Sequence, residues 1–207
     1  MTPVPVPTFK EERLLLAQGF TFVAGVDEAG CGCWAGPVYA AAVILPFDSR
    51  IGLVRDSKTL SKEQRDRVAV RVREEAASWN VAFASPEEID RLNIRGAGAL
   101  AMRRAVEGLA MTPDHVLIDA FKVPGLAMPQ KAIVRGDLTV KCIAAASVLA
   151  KVARDAEMAK LDAEHPGYGF ARHKGYGTKE HQAALARLGP SAIHRKSYAP
   201  IKALLAR

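Results

Sequence analysis

Two carboxylates, Asp27 and Glu28, follow a short apolar run (Val23, Ala24, Val26) and lead directly into three glycines, Gly30, Gly32 and Gly36. A strand that ends in Asp-Glu and then turns through glycines presents acid oxygens and unhindered backbone N–H groups at one place, which suits divalent-cation and phosphate chemistry. Two more acids close apolar stretches: Asp119 ends HVLID (115–119), and Gly136-Asp137 closes KAIVR (131–135). If these stretches are neighbouring strands, four carboxylates gather at one edge of a sheet. Two unit charges about 4 Å apart repel by about 4 kcal/mol at an effective dielectric of about 20. A shared cation removes that cost. Oxygen ligands without His or Cys in the set favour magnesium or manganese over zinc, and two such ions serve phosphodiester cleavage by activating water and stabilising the leaving oxygen. Successive strand residues point to opposite faces, so Glu28 joins Asp27 only where the strand twists or breaks, which the glycines allow.

The elements that must position these acids follow from patterning. Residues 1–7 alternate proline as an extended lead-in. Thr8 to Glu11 reads as a capping box for a helix over Phe9–Gln18 with Gly19 at its C-cap. Thr21–Asp27 is a first strand, and the almost wholly apolar Pro37–Pro46 a second; the nine residues between them favour an antiparallel pair. Ser61 and Gln64 cap a helix to about Ala77, Trp79–Ala84 is a strand, and Ser85-Pro-Glu-Glu88 starts another helix. Further helices are expected over Gly96–Leu109, Cys142–Leu161, Lys179–Leu188 and Pro200–Ala206. Strands with interspersed helices and then a helical tail make the chain α/β.

At 207 residues, 49% hydrophobic and 25% charged, the chain is a single globular domain, with no run long enough to span a membrane and no basic-then-apolar leader. Its three cysteines are expected reduced, in the cytoplasm. The net charge of +7 is uneven: residues 141–207 carry 12 Lys/Arg and 5 Asp/Glu, a difference of +7, whereas the first 140 hold 17 of each. A basic segment beside an acid-bearing core suits a polyanion such as nucleic acid. Arg172, Lys174, Lys179, Arg187, Arg195, Lys196 and Lys202 are its candidate duplex clamp.

Competing readings are weaker. Gly30-x-Gly32-x-x-Ala35 fits a dinucleotide fingerprint, but Pro37 and a β-rich run stand where that motif needs a helix. Cys31-x-Cys33 lacks a second half for zinc. Ser147 and Lys151, four apart, either face substrate or decorate a helix; Arg154-Asp155 reads as a structural ion pair. Tyr176, between Gly175 and Gly177 and near Lys174, suits an exposed nucleic-acid surface. His173 and His194 fit a phosphate contact and a structural hydrogen bond equally.

GVDEAG-x-G-x-x-AGPV (25–38), DSK-x-LS (56–61), LNI (92–94), VLID (116–119), GD (136–137), AASVLAKVARD (145–155), HKGYGT (173–178) and HRKSY (194–198) occur in that order. Together they resemble bacterial ribonuclease HII over about residues 12 to 205. The resemblance implies a ribonuclease H-like mixed β-sheet flanked by helices: a core over about 20–160 and a basic helical extension over about 161–207. It implies a metal-dependent endonuclease, using Mg²⁺ or Mn²⁺ in a two-metal mechanism, that cuts RNA in RNA–DNA hybrids and 5′ of single ribonucleotides in duplex DNA, leaving 3′-hydroxyl and 5′-phosphate. By motif, Asp27, Glu28, Asp119 and Asp137 match its metal ligands. Gly30, Cys31 and Gly32 match a turn whose backbone contacts the ribose 2′-OH, and Tyr176 a residue packed on the neighbouring sugar. Lys58 is expected at phosphate, and Ser147 at the substrate. A monomer is expected, with a non-catalytic hybrid-binding protein of the same fold as the alternative. The family usually has Gly-Arg-Gly where Gly30-Cys31-Gly32 stands, and Pro-Leu where Cys33-Trp34 stands. A backbone contact survives this change, but a charge near phosphate does not, so weaker affinity with intact chemistry is expected.

Overall fold

A computed structural model describes residues 6–52, 54, 57 and 60–206; Lys58 and most of its DSK loop lie outside the described residues. In chain order the elements are α1 (Lys10–Leu16), β1 (Val23–Ala29), β2 (Val38–Ile44), α2 (Lys62–Glu75), β3 (Ser78–Ala84), α3 (Pro86–Glu107), β4 (His115–Asp119), β5 (Gln130–Ile133), α4 (Gly136–Thr139), α5 (Lys141–Glu164), α6 (Phe170–His173), α7 (Lys179–Leu188) and α8 (Ala199–Leu205). The sheet runs β3-β2-β1-β4-β5. β1 is antiparallel to β2 and parallel to β4, so the two central acid-bearing strands end at the same edge.

Alternation along the strands sends one set of side chains to each face. Ala24, Val26, Ala40, Ala42 and Ile118 pack beneath α3, with Ile89, Ala101 and Met102. Ala41 and Val43 point the other way, onto α2 and the alanine-rich start of α5. Small residues let α5 lie close on the sheet: a Cβ on Gly25 would stand 2.2 Å from the Cys142 backbone. Among the described residues no helix is long and apolar enough to cross a membrane.

Several expectations are corrected. Thr8 caps nothing; Phe9 precedes α1 without a side-chain cap, because the Thr8 backbone is committed to a bridge with Val140, through Thr8 N to Thr139 O at 3.0 Å and Lys141 N to Thr8 O at 3.1 Å. The helices expected from Ser85 and from Gly96 both form, but no loop separates them: they meet at Asn93 (φ 58, ψ 170), whose Oδ1 accepts from the N–H groups of Arg95 and Gly96 and starts the second. Asp137 does not end a strand: β5 stops at Ile133, Arg135 is left-handed, and Asp137 lies buried in the single turn of α4. Arg154 and Asp155 are not paired. Asp155 takes Lys151 at 2.7 Å, because residues four apart share a helix face and adjacent ones do not.

The extension after α5 packs as a small core of its own, with Phe170, Leu185 and Ile201 against Met158 and Ala35. Three of its four histidines form a structural cluster. The Ser191 N–H donates to His194 Nδ1 at 2.9 Å, so neutral His194 carries its proton on Nε2, 3.0 Å from His181 Nε2; His181 Nδ1 then donates to the Tyr176 carbonyl at 2.9 Å. His173 stacks on His181, bonds the Tyr168 carbonyl through Nε2, and accepts the Gly175 N–H at Nδ1. Burial and the neighbouring imidazole push His194 down to about 4. A depressed histidine favours folding above its unfolded value of about 6.5 and withdraws that support as pH falls towards about 4, a loss on the order of 3 kcal/mol. Urea unfolding should therefore show His194→Gln losing less stability than wild type between pH 6.5 and 4; an equal change in both proteins contradicts the relay.

Candidate active site

β1 continues through Glu28 and Ala29 and breaks at Gly30, whose φ of +100° favours glycine and whose Cβ, if added, would meet the Arg154 guanidinium. Asp27 is 5% exposed, and its Oδ1 accepts the Glu28 N–H at 2.7 Å. Val26 lies opposite Ile118 in the parallel ladder, so Asp27 and Asp119 come next at adjoining strand ends. Asp119 Oδ1 accepts the Gly136 N–H at 2.7 Å, which ties the β4 end to the turn that carries Asp137.

Burial raises the Asp27 carboxyl well above the usual range, and the negative charges of Glu28 and Asp119 raise it further; the Ser147 hydroxyl opposes the shift. Two of the other acids expected at this edge, Glu28 and Asp119, thus act on Asp27. Asp137 follows Gly136, whose N–H Asp119 holds, so the fourth acid is carried on a turn tied to the β4 end. Among the described residues no three His, Cys, Asp or Glu side chains form a ready-made metal-holding group. The donor chemistry nevertheless fits a hard divalent cation: every candidate ligand is a carboxylate, and the most buried of the interacting three carries a charge that its neighbours destabilise.

Beside Asp27 and Glu28 opens a cleft of about 200 Å³, lined also by the Gly30–Gly32 turn, Ser147, Lys151 and Tyr176. Of the residues singled out from sequence, Asp119 and Asp137 do not line it. Tyr176 is 43% exposed, and a Cβ on Gly32 would meet only its ring edge, at 3.9 Å. The gap between turn and ring therefore exists because Gly32 has no side chain. The Cys31 thiol donates to Glu28 Oε1 at 3.5 Å; burial and that carboxylate raise its pKa, so it stays a neutral, unreactive thiol. Ser147 meets Ser57 at 3.1 Å, a buried contact that sequence reasoning missed although Ser57 sits inside the quoted DSK loop. Gly32 lacks a positive φ, so Gly32→Ala should fold with a thermal midpoint within about 2 °C of wild type. Cleavage should fall roughly ten- to a hundredfold as the methyl fills the gap. Wild-type turnover by a folded variant contradicts this reading of the cleft.

Residues 24–201 match the family model described as Ribonuclease HII. A ribonuclease HII from Chromobacterium violaceum is 57% identical over 185 residues, covering 89% of this chain and 93% of the relative. The fold is similar to ribonuclease H2 from Pyrococcus horikoshii OT3 (TM-score 0.75, 24% identity, 90% of this chain and 98% of the other). It is also similar to a Bst-RNase HIII structure in complex with Mn²⁺ (TM-score 0.67, 22% identity, 89% and 69%). Identity at this level supports the catalytic reading and not a binding-only one. The chain belongs to the ribonuclease HII family and is a metal-dependent ribonuclease H endonuclease.

Proposed function

We propose that Asp27, Glu28, Asp119 and Asp137 hold Mg²⁺ or Mn²⁺ ions in a two-metal site, and that the cleft beside them reads one ribose of the strand to be cut. The cut falls 5′ of a ribonucleotide, in a hybrid or singly embedded in duplex DNA, and leaves 3′-hydroxyl and 5′-phosphate ends; the working form is a cytoplasmic monomer. The carrying observation is the Asp27 carboxyl, buried among like charges at the rim of a cleft formed by a glycine turn and an exposed tyrosine. Bound there, the ions supply an activated water and charge stabilisation at the leaving oxygen. The presence of Mn²⁺ in the structure of a protein of similar fold supports that choice of ion.

The remaining work falls to this chain's own residues. The Gly30–Gly32 backbone meets the 2′-OH, a group that both donates and accepts hydrogen bonds and so separates RNA from DNA. Tyr176 offers its ring to the adjacent sugar. Ser147 steadies Asp27 in its charged form. Lys151 borders both this cleft and a larger groove of about 580 Å³ lined by Lys62, Arg65, Arg172 and Lys174, a route for a duplex backbone leading away from the site. Arg195, expected in that clamp, is fully buried and cannot reach phosphate, and Arg172 is paired with Glu180.

Asp119→Asn should lower cleavage of a duplex with a single embedded ribonucleotide by at least about a thousandfold while binding stays within about threefold, because an amide keeps the shape and removes the anionic ligand. Retained cleavage removes Asp119 from the metal site. The matching assay on an all-RNA hybrid, in Mg²⁺ and in Mn²⁺, establishes substrate and metal preference.

A further inference from the structure

Arg154 and Arg195 have zero exposure, and neither pairs with a carboxylate among the described residues. Burying a guanidinium without a counter-charge is expensive, and an apolar side chain of similar volume avoids the cost. What both arginines hold instead is the carbonyl side of the glycine loop. Arg195 donates to Gly30 O at 2.8 Å, Cys31 O at 3.0 Å and Gly36 O at 3.0 Å. The Tyr198 hydroxyl donates to Cys31 O at 2.6 Å and accepts from Arg195 at 3.0 Å. Arg154 donates to Pro37 O, Ala35 O and Lys174 O, so it links the loop to the turn before Tyr176.

The consequence is directional. In a trans peptide the C=O and N–H point opposite ways, and no peptide bond among the described residues is cis. Arg195 and Tyr198 draw the Gly30 and Cys31 carbonyls into the interior, which turns the N–H groups of the same two peptide units, those of Cys31 and Gly32, away from it and towards the cleft. Neither N–H has an acceptor among the described residues. The segment that carries Arg195 is itself fixed: Arg195 N donates to Trp34 O at 2.8 Å, and the Asp90 carboxylate accepts from Lys196 N and Ser197 N at 3.0 and 2.8 Å.

We infer that Arg195 and Tyr198 are positioning residues that set the orientation of the Gly30–Gly32 turn, so that its N–H groups meet a ribose 2′-oxygen. The inference rests on the proposed role of that turn in reading ribose. Their job is discrimination between ribose and deoxyribose, not affinity for duplex nucleic acid in general. The side chain at position 31 is then free to vary, because the turn is held from behind by its carbonyls.

The test compares wild type, Tyr198→Phe and Arg195→Lys in steady-state cleavage of a duplex bearing one ribonucleotide, with the same duplex in all-DNA form as competitive inhibitor. A wild-type inhibition constant for the DNA duplex no weaker than the KM for the ribonucleotide duplex refutes ribose reading itself, whatever the variants do. Given wild-type discrimination, Tyr198→Phe should raise KM for the ribonucleotide duplex about five- to tenfold, the worth of one lost hydrogen bond, with the DNA inhibition constant unchanged. Arg195→Lys, which keeps the charge but not the fork, should shift the ratio further in the same direction. A parallel rise of KM and inhibition constant, or no change in either, overturns the inference. Tyr198→Phe alone decides it if Arg195→Lys does not fold.

Discussion

A carboxylate buried among carboxylates imposes an electrostatic demand that the rest of this molecule is arranged around. Asp27 is taken out of water by the sheet core and pressed by Glu28 and Asp119, and among the described residues a backbone N–H and one hydroxyl oppose that pressure. Such a charge is tolerable if it is protonated, which weakens it as a ligand, or if a cation shares it. The parallel pairing of β1 with β4 creates the demand by bringing both strands to an end at the same edge. The glycine turn then leaves that edge open to a ligand instead of covering it with side chains.

The C-terminal extension answers a second demand, that of holding a loop with little side-chain mass of its own. Two buried guanidiniums do this by collecting carbonyls, and their positions in α5 and after α7 mean that the turn is shaped from residues more than a hundred positions away. The neutral histidine relay from Ser191 to the Tyr176 carbonyl extends the same principle to the other wall of the cleft. Cleft geometry and extension packing are consequently one structural property, and acid that charges the relay acts on both.

Much of this was legible in the residues. Thr21–Asp27 and His115–Asp119 read as strands because apolar runs end in acids, and the antiparallel β1–β2 pair followed from a connection too short for a crossover. The exposure of Tyr176 followed from its flanking glycines. Less legible was anything set by a distant partner. Arg195 in a basic stretch looks like a phosphate contact, and only tertiary packing shows its side chain spent on Gly30, Cys31 and Gly36. Arg154 beside Asp155 looks like an ion pair until the helix turns the two apart. Thr8 had the local pattern of a cap, but a long-range bridge to Val140 claimed its backbone, a case of tertiary contact overriding propensity.

Thermal unfolding of wild type and Asp27→Asn, with and without Mn²⁺, tests the central claim most directly. The Asp27 pKa is raised on folding, so its ionised form opposes folding, and the contribution of Asp27 to stability falls as pH rises from the ordinary carboxylate value of about 4 through the raised one. In metal-free neutral buffer Asp27→Asn should therefore unfold at a higher temperature than wild type, and Mn²⁺ should raise the wild-type midpoint by several degrees and the variant's by much less. A metal-free variant less stable than wild type, together with an equal Mn²⁺ shift in both, would contradict the account.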